Sequence, residues 1–324
     1  NNYIINIYFV LHIYIYIYIY IHIMATVLGN INYAKNRGQV AGGKGLPQGG
    51  EFMKNKVKGN KKQLASLDTR EMEICNARPF LNDLSIDTNG FVRLTIQTKL
   101  TETLDVLFEE KEQQIRSIYW PEIIELAREN IQTSDGRKPK YVFALGTQKF
   151  TEDKSRGLLG SYSRSAHADF SDVVFDGAYK MLTKRGVGQM EAQSLDLMFV
   201  NAWRPFGRVV SDNPLCILDW RTVDPNADVH GLKRGQKVVK GNIYGSTVTY
   251  NANHRWMYLP NMTPNEVWFF KQADSRENIP GLCKHAFHTS LRQPGQGSDV
   301  RGRRSIAVRL ICGFEKANEG NSKL

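Results

Sequence analysis

Cysteine is scarce in this 324-residue chain and badly placed for pairing. Cys75, Cys216, Cys283 and Cys312 stand far apart, and no C-x-x-C pair occurs. This excludes a zinc ribbon and a disulfide-stapled secreted scaffold, and leaves reduced thiols in a cytoplasmic protein as the expectation. Acidic residues are missing from one stretch. Between Lys35 and Lys62 eight Lys and Arg face a single acid, Glu51, so +7 of the formal +11 sits there. A basic stretch of this kind can touch nucleic acid or an acidic membrane, but it is more often solvated. Neither a specific nucleic-acid partner nor a membrane is expected. Large apolar residues are also sparse from Met24 onward, where Gly, Asn and Lys dominate, so residues 24–70 are expected to form a disordered basic tail. Within it, Gly38 and the pair Gly43-Lys44 imitate a phosphate-binding loop. The Ser or Thr that should follow the Lys is absent, Gly45 standing in its place, and no strand precedes it, so no nucleotide site is read there. No internal repeat occurs.

Residues 1–23 alternate Ile and Tyr almost strictly. As protein this is a strand pattern, and its alternating Tyr is unlike the core of a membrane span. A repeated AT dinucleotide translates as Ile-Tyr, the chain does not begin with Met, and Met24 follows directly. The stretch is read as a translated non-coding repeat and set aside.

What remains is long enough for a sizeable core. The hydrophobic fraction is 41% and the mean hydropathy −0.40, as for a soluble chain. One domain is expected over residues 71–316, with a short tail at 317–324. Leu84–Asp87 and Phe91–Leu94 flank Thr88-Asn89-Gly90, a hairpin signal. Leu104 to Asn130 reads as helix, with Pro121 opening a second segment. Tyr141–Leu145 reads as a buried strand. After a helix over Ser171–Lys184, strands are expected at Leu197–Ala202, Leu215–Trp220, Ile243–Tyr250, Trp256–Leu259, Val267–Lys271 and Ser305–Cys312. Helices first and many short strands afterwards fit a mainly β fold with flanking helices, a β-sandwich or jelly roll.

The chemistry gathers at His167-Ala168-Asp169. A His and a carboxylate two residues apart share one face of a strand. With a second His from a later strand they could form a facial triad that holds Fe(II) and leaves positions open. The motif alone is weak, since a surface His beside a solvated Asp is common. Two late histidines, His285 and His288, could complete it. A buried cation would be needed for the far carboxylate of a 2-oxoglutarate cosubstrate, and Arg303-Arg304-Ser305 supplies an Arg and a hydroxyl at the start of a strand.

The order of short segments now becomes specific. Ala77-Arg78-Pro79-Phe80, Tyr119-Trp120-Pro121-Glu122, His167-Ala168-Asp169-Phe170-Ser171, Asn201-Ala202-Trp203-Arg204-Pro205 and Asp212-Asn213-Pro214-Leu215 are followed by Asp219. His254-Arg255-Trp256-Met257-Tyr258, Met262-Thr263-Pro264-Asn265-Glu266, Asp274-Ser275, His288-Thr289-Ser290 and Arg303-Arg304-Ser305-Ile306 complete the series. In this order the chain resembles the Fe(II)/2-oxoglutarate-dependent oxygenases of fungal and bacterial secondary metabolism. That is the group of the cephalosporin 7α-methoxylase component, the gibberellin desaturase and related hydroxylase-desaturases.

The resemblance implies a double-stranded β-helix, the cupin-like jelly roll. It implies His167, Asp169 and His288 as iron ligands, Arg303 and Ser305 as the clamp on 2-oxoglutarate, and dioxygen as cosubstrate. The implied reaction is hydroxylation or desaturation of an unactivated C–H bond in a small molecule, with no catalytic group beyond the metal ligands. Asp169 disfavours halogenation, which needs that ligand missing. Leu291 departs from the family's usual Phe, Arg304 and Ala307 replace residues that are often acidic, and the insert Asp228–Asn242 is long. These departures bear on the substrate and not on the iron site.

Asn201, Trp203, Arg204, His254, Trp256, Tyr258 and Arg309 are candidates to line the substrate pocket or support the ligands. All but Asn201 have a plainer reading: core aromatics for Trp203, Trp256 and Tyr258, a structural His for His254, ion pairing for Arg204 with Asp212 or Asp219, and a structural pair for Arg309. Two other functions compete, a nucleic-acid demethylase using the same iron chemistry and a non-catalytic metal-binding jelly roll. An intact Arg303 and Ser305 weigh against the second. The oligomeric state is not legible.

Overall fold

Alternation along the strands sorts the chain into two sheets. The computed structural model describes residues 26–35, 67–103, 112–151, 162–231, 233–235, 245–291 and 302–317. Its strands are β1 (Thr26–Ala34), β2 (Leu67–Asn76), β3 (Phe91–Thr95), β4 (Tyr141–Thr151), β5 (His167–Ala168), β6 (Leu195–Pro205) and β7 (Leu215–Leu218). Then follow β8 (Val229–His230), β9 (Ser246–Val248), β10 (Trp256–Tyr258), β11 (Glu266–Asp274), β12 (His288–Ser290) and β13 (Arg304–Glu315). The helices are α1 (Trp120–Asn130), preceded by a wide π-helical turn at Ile115–Tyr119, then α2 (Phe175–Thr183) and α3 (Gln189–Ser194).

One sheet runs β1-β2-β10-β7-β12-β5-β9-β8 and the other β3-β11-β6-β13-β4. Every named pair is antiparallel except β2 with β10. This is the expected jelly roll. In the second sheet the period of two is explicit. Met198, Val200 and Ala202 of β6 and Ile306, Val308, Leu310 and Cys312 of β13 face outward, onto Tyr119, Ile123 and Ala127 at the helix α1. The intervening residues face the first sheet. There Trp203 and Ala307 join an apolar cluster with Leu215, Ile217, Met257 and Trp268. Farther along, Phe199 and Ile311 join another with α2 and α3. Between these two clusters the inward row carries Asn201 and Arg309, paired across β6 and β13. A polar step in an otherwise apolar row is costly unless it has partners, and it marks where the site lies.

The first sheet curls back on itself. β1 pairs along its length with β2, while Asn32 and Ala34 also bridge to Ser165 and Thr249 beside β5 and β9. The curl encloses Ile31, Tyr33, Ile74, Cys216, Leu218, Trp256 and Phe287. The disordered tail expected over residues 24–70 is therefore wrong for Thr26–Ala34 and for the first residues of β2. Their apolar partners lie far along the chain, so local composition does not reveal them. Residues 36–66 and 1–25 lie outside the described residues, as do Leu104, Leu107, Phe108, Ile243, most of the insert and most of the terminal tail.

The hairpin expected at Asn89-Gly90 does not form. Ser85 O accepts from both Asn89 N and Gly90 N at 3.0 Å, and Asn89 Oδ1 accepts from Ser85 N at 3.0 Å. The segment closes as a turn, and β3 pairs instead with β11. Gly90 has φ +94°, and a Cβ there would come within 2.5 Å of Cys283 Sγ, so Gly serves a tight approach rather than a two-strand turn.

Candidate metal centre

β5 and β12 pair at a single point, His167 opposite His288. Both rings face the second sheet, their centroids 4.3 Å apart. Asp169 follows β5 directly. Ligand atoms of His167, Asp169 and His288 all lie within 4.8 Å of one another, the one such group of His, Cys, Asp or Glu among the described residues.

The orientation of each ligand is set from behind. The Nδ1 of His167 donates to Ser165 O at 2.8 Å, and that of His288 to Ala286 O at 3.2 Å. A carbonyl only accepts, so each Nδ1 carries the proton and each Nε2 offers its lone pair. Asp169 Oδ2 accepts from Asn201 Nδ2 at 2.8 Å and from Arg309 Nε at 3.2 Å and Nη2 at 3.1 Å. Its backbone N–H donates to Gln272 Oε1 at 2.7 Å. Oδ1, 3.7 Å from His167 Nε2, is thus the oxygen left to a metal. This donor set, two neutral imidazoles and one carboxylate oxygen with the partner atoms already tied down, fits Fe(II).

Electrostatics agree. Burial opposes ionisation of Asp169, but the Arg309 guanidinium, the two imidazoles and the Asn201 amide outweigh it and hold the carboxyl well below the usual range. Burial and the neighbouring His167 ring push His288 down to about 3 against the pull of Asp169. The imidazole is neutral at physiological pH and needs no proton loss to bind a metal. Phe270 packs its ring against His288 at 4.8 Å.

Along the same inward rows lie Arg303 and Ser305. The Arg303 guanidinium sits 4.1 Å from the Tyr162 ring centroid and 5.2 Å from that of Trp203. Its Nη1 donates to Asn213 O and lies 3.4 Å from Ser290 Oγ. Ser305 Oγ is fully buried and has no hydrogen-bond partner among the described residues. A buried hydroxyl left over beside a buried cation is what a ligand carboxylate would satisfy.

The site candidates divide cleanly. Asn201 and Arg309 hold Asp169, and Trp203 stacks on Arg303. Arg204 points the other way, fully buried, donating to Tyr119 Oη at 3.0 Å and pairing with Glu102, not with Asp212 or Asp219. One step along a strand changes the face. Trp256 and Tyr258 lie in the curl of the first sheet, on the side away from the ligands. His254 is locked there too, between Asp228 Oδ2 at 3.1 Å and Tyr33 Oη at 3.4 Å. His285 stands apart from the triad, its Nδ1 donating to Gln272 O at 2.9 Å. Sequence reasoning missed Gln272, which stands in β11 at a register shift that only the strand pairing reveals. It also missed Tyr162, which carried no signal of its own, and gave no role to Asn213 and Ser290, which stand beside Arg303 and lie in two of the segments that carry the resemblance.

Comparison with known proteins places this geometry. A family described as the oxidoreductase/YMDC permease-like domain matches residues 31–313. The hydroxylase/desaturase efuI of Hormonema carpetanum is 23% identical over 265 residues, covering 76% of this chain and 85% of that protein. The Fe(II)/2-oxoglutarate-dependent dioxygenase nvfI of Aspergillus novofumigatus is 25% identical over 240 residues, covering 73% of this chain and 80% of its own. Among solved structures, a variant of the iron and alpha-ketoglutarate-dependent endoperoxidase NvfI superposes with a TM-score of 0.67 at 17% identity, covering 90% of this chain and 98% of that one. With the family matched over most of its length and with relatives of one enzymatic kind, the chain belongs to the oxidoreductase/YMDC permease-like family and, with those relatives, to the Fe(II)/2-oxoglutarate-dependent oxygenases.

Proposed function

We propose that this oxygenase hydroxylates or desaturates an unactivated C–H bond of a small molecule in secondary metabolism. His167, Asp169 and His288 would hold Fe(II), and Arg303 with Ser305 would hold the far carboxylate of 2-oxoglutarate. The carrying observation is the placement of these two groups on neighbouring inward rows: three metal-type donors within 4.8 Å of one another, and a buried hydroxyl and cation beside them. Bound iron supplies activation of dioxygen coupled to decarboxylation of 2-oxoglutarate, the hard part of breaking such a C–H bond.

The chain's own residues position and protect. Asn201 and Arg309 keep Oδ2 of Asp169 occupied, leaving Oδ1 to the metal. Ser165 and Ala286 fix the two ring tautomers. Phe270 packs its ring against His288, and the Phe170 ring lies 5.5 Å from the Arg309 guanidinium, so apolar surface borders both the ligand and the clamp. The four cysteines are buried and unpaired, in keeping with a cytoplasmic setting, and none of the described helices is long and apolar enough to cross a membrane.

Anaerobic addition of Fe(II) and then 2-oxoglutarate to the full chain tests the reading. The expected result is the weak visible charge-transfer band of a chelated 2-oxoglutarate, followed on admitting air by succinate formation. Iron-loaded, folded protein that gives no band and no succinate would sink it. A screen of candidate substrates by mass then separates gain of an oxygen from loss of two hydrogens.

A further inference from the structure

β5 is two residues long and cannot by itself fix the segment that carries His167 and Asp169. The support comes from the other end of the chain. Asn32 of β1 holds the peptide on both sides of Ser165: its Nδ2 donates to Arg164 O at 2.6 Å, and its own carbonyl accepts from Ala166 N at 2.8 Å. Asn32 is itself held by Thr69 Oγ1, which donates to Oδ1 at 2.7 Å, and by the ladder that pairs Asn32 with Thr69. Between the two grips lies the Ser165 carbonyl that accepts from His167 Nδ1.

We propose that Asn32 is a positioning residue of the metal centre, aiming the Ser165 carbonyl so that His167 is held as the Nδ1–H tautomer with Nε2 toward the metal. The geometry has three links in series. The β1–β2 ladder fixes Asn32, Asn32 fixes residues 164–166, and Ser165 fixes the ring. A hydrogen-bond partner behind a metal-binding imidazole commonly carries 10- to 100-fold of the metal affinity. Here the partner is a backbone carbonyl, so the side chain that holds that backbone takes the role. The inference rests on the metal-centre reading above, and its test separates the two.

Co(II), which absorbs in the visible when bound by such ligands, is titrated into the full chain carrying Asn32→Ala or Asn32→Asp. Aspartate keeps the bond from Thr69 but cannot donate to Arg164 O, so it serves if the alanine variant does not fold. Val27→Ala is the control: it trims packing of the same strand against the curled sheet's core and leaves the Asn32 bonds alone. Both Asn32 variants are expected to bind Co(II) about 10-fold more weakly or worse, with Val27→Ala within about twofold of the parent. Nitrogen NMR of the metal-free proteins is expected to show the Nδ1–H tautomer of His167 losing its dominance only in the Asn32 variants. Unchanged affinity and tautomer in both Asn32 variants, or an equal loss in Val27→Ala, would overturn the role of Asn32. A parent chain that binds no Co(II) would overturn the metal centre instead.

Discussion

At the scale of single residues, the division of labour around Asp169 makes definite predictions. Asp169→Ala and His288→Ala remove ligand atoms and are expected to abolish Co(II) binding in a titration. His285→Ala is expected to leave it within a few-fold, because His285 faces Gln272 and Asp172 and not the triad. Arg309→Met keeps the length of the side chain but frees Oδ2, so metal affinity should drop about 10- to 100-fold while the metal-free protein stays folded. The triad was readable in the sequence as a spacing, and Arg303 and Ser305 as a spacing downstream of it. The choice of His288 over His285 needed the register that sets His288 opposite His167. Arg204 was misplaced because a sequence shows that a strand alternates but not which parity faces the core. In β6 the odd residues Asn201 and Trp203 face the site, so Arg204 cannot.

At the scale of elements, β1 is the segment whose neighbours in sequence say least about it. Its polar residues, Asn30 and Asn32, and its flanking Gly and Lys read as tail, yet Ile31 and Tyr33 are fully buried. Tyr33 Oη accepts from Trp256 Nε1 at 2.7 Å inside the curl. Tyr33→Phe would leave that indole N–H buried without its acceptor, and is expected to cost about 1–3 kcal/mol in urea unfolding. The longer strands β6, β11 and β13 were legible because each carries a run of apolar residues, as a strand buried on both faces requires. The Asn-Gly turn was misjudged because the same dipeptide also closes a loop in which Asn caps its own backbone, and only tertiary contacts with Cys283 and β11 decide between the two.

For the molecule as a whole, a buried charge cluster ties the turn before β3 to the end of β11. Lys271 Nζ donates to Asp87 Oδ1 at 2.8 Å and Asp274 Oδ2 at 2.7 Å, and Arg276 bonds both carboxylates. Burial works against the charge on Asp87 and Asp274, but Arg276 and Lys271 outweigh it and hold both carboxyls below their usual range. A depressed folded-state value gives stability that is complete above the unfolded value of about 3.9 and is lost as pH falls through the folded ones. Urea midpoints of the metal-free protein are therefore expected to fall already below about pH 6.5, where the unfolded chain protonates the His288 and His254 imidazoles that burial keeps neutral in the fold, and to fall more steeply below about 4, where the carboxylates add their loss. Lys271→Met should cost about 3–5 kcal/mol at neutral pH, since it leaves buried carboxylates short of a cation, and should flatten that acid limb. Metal is a separate contribution. Chelating Co(II) present at about a thousand times its dissociation constant removes about 4 kcal/mol of linkage stabilisation, or roughly 10 °C in Tm for a domain of this size. The far-ultraviolet circular dichroism should not change, because the four apolar clusters do not depend on the ion.

The metal centre is also a set of distant positions. Asn32 reaches Arg164 across 132 residues, Arg309 reaches Asp169 across 140, and Tyr162 reaches the backbone of Arg303 across 141. Contacts so far apart in sequence form late, since the chain between them must be ordered first. During synthesis the ligand set is incomplete until His288 has emerged, and Asp169 lacks its second clamp until Arg309 has. On the proposed ligand set, metal loading would then follow the synthesis of His288, and a chain that ends between His288 and Arg309 would keep its three ligands but hold the metal more weakly for want of the clamp on Asp169.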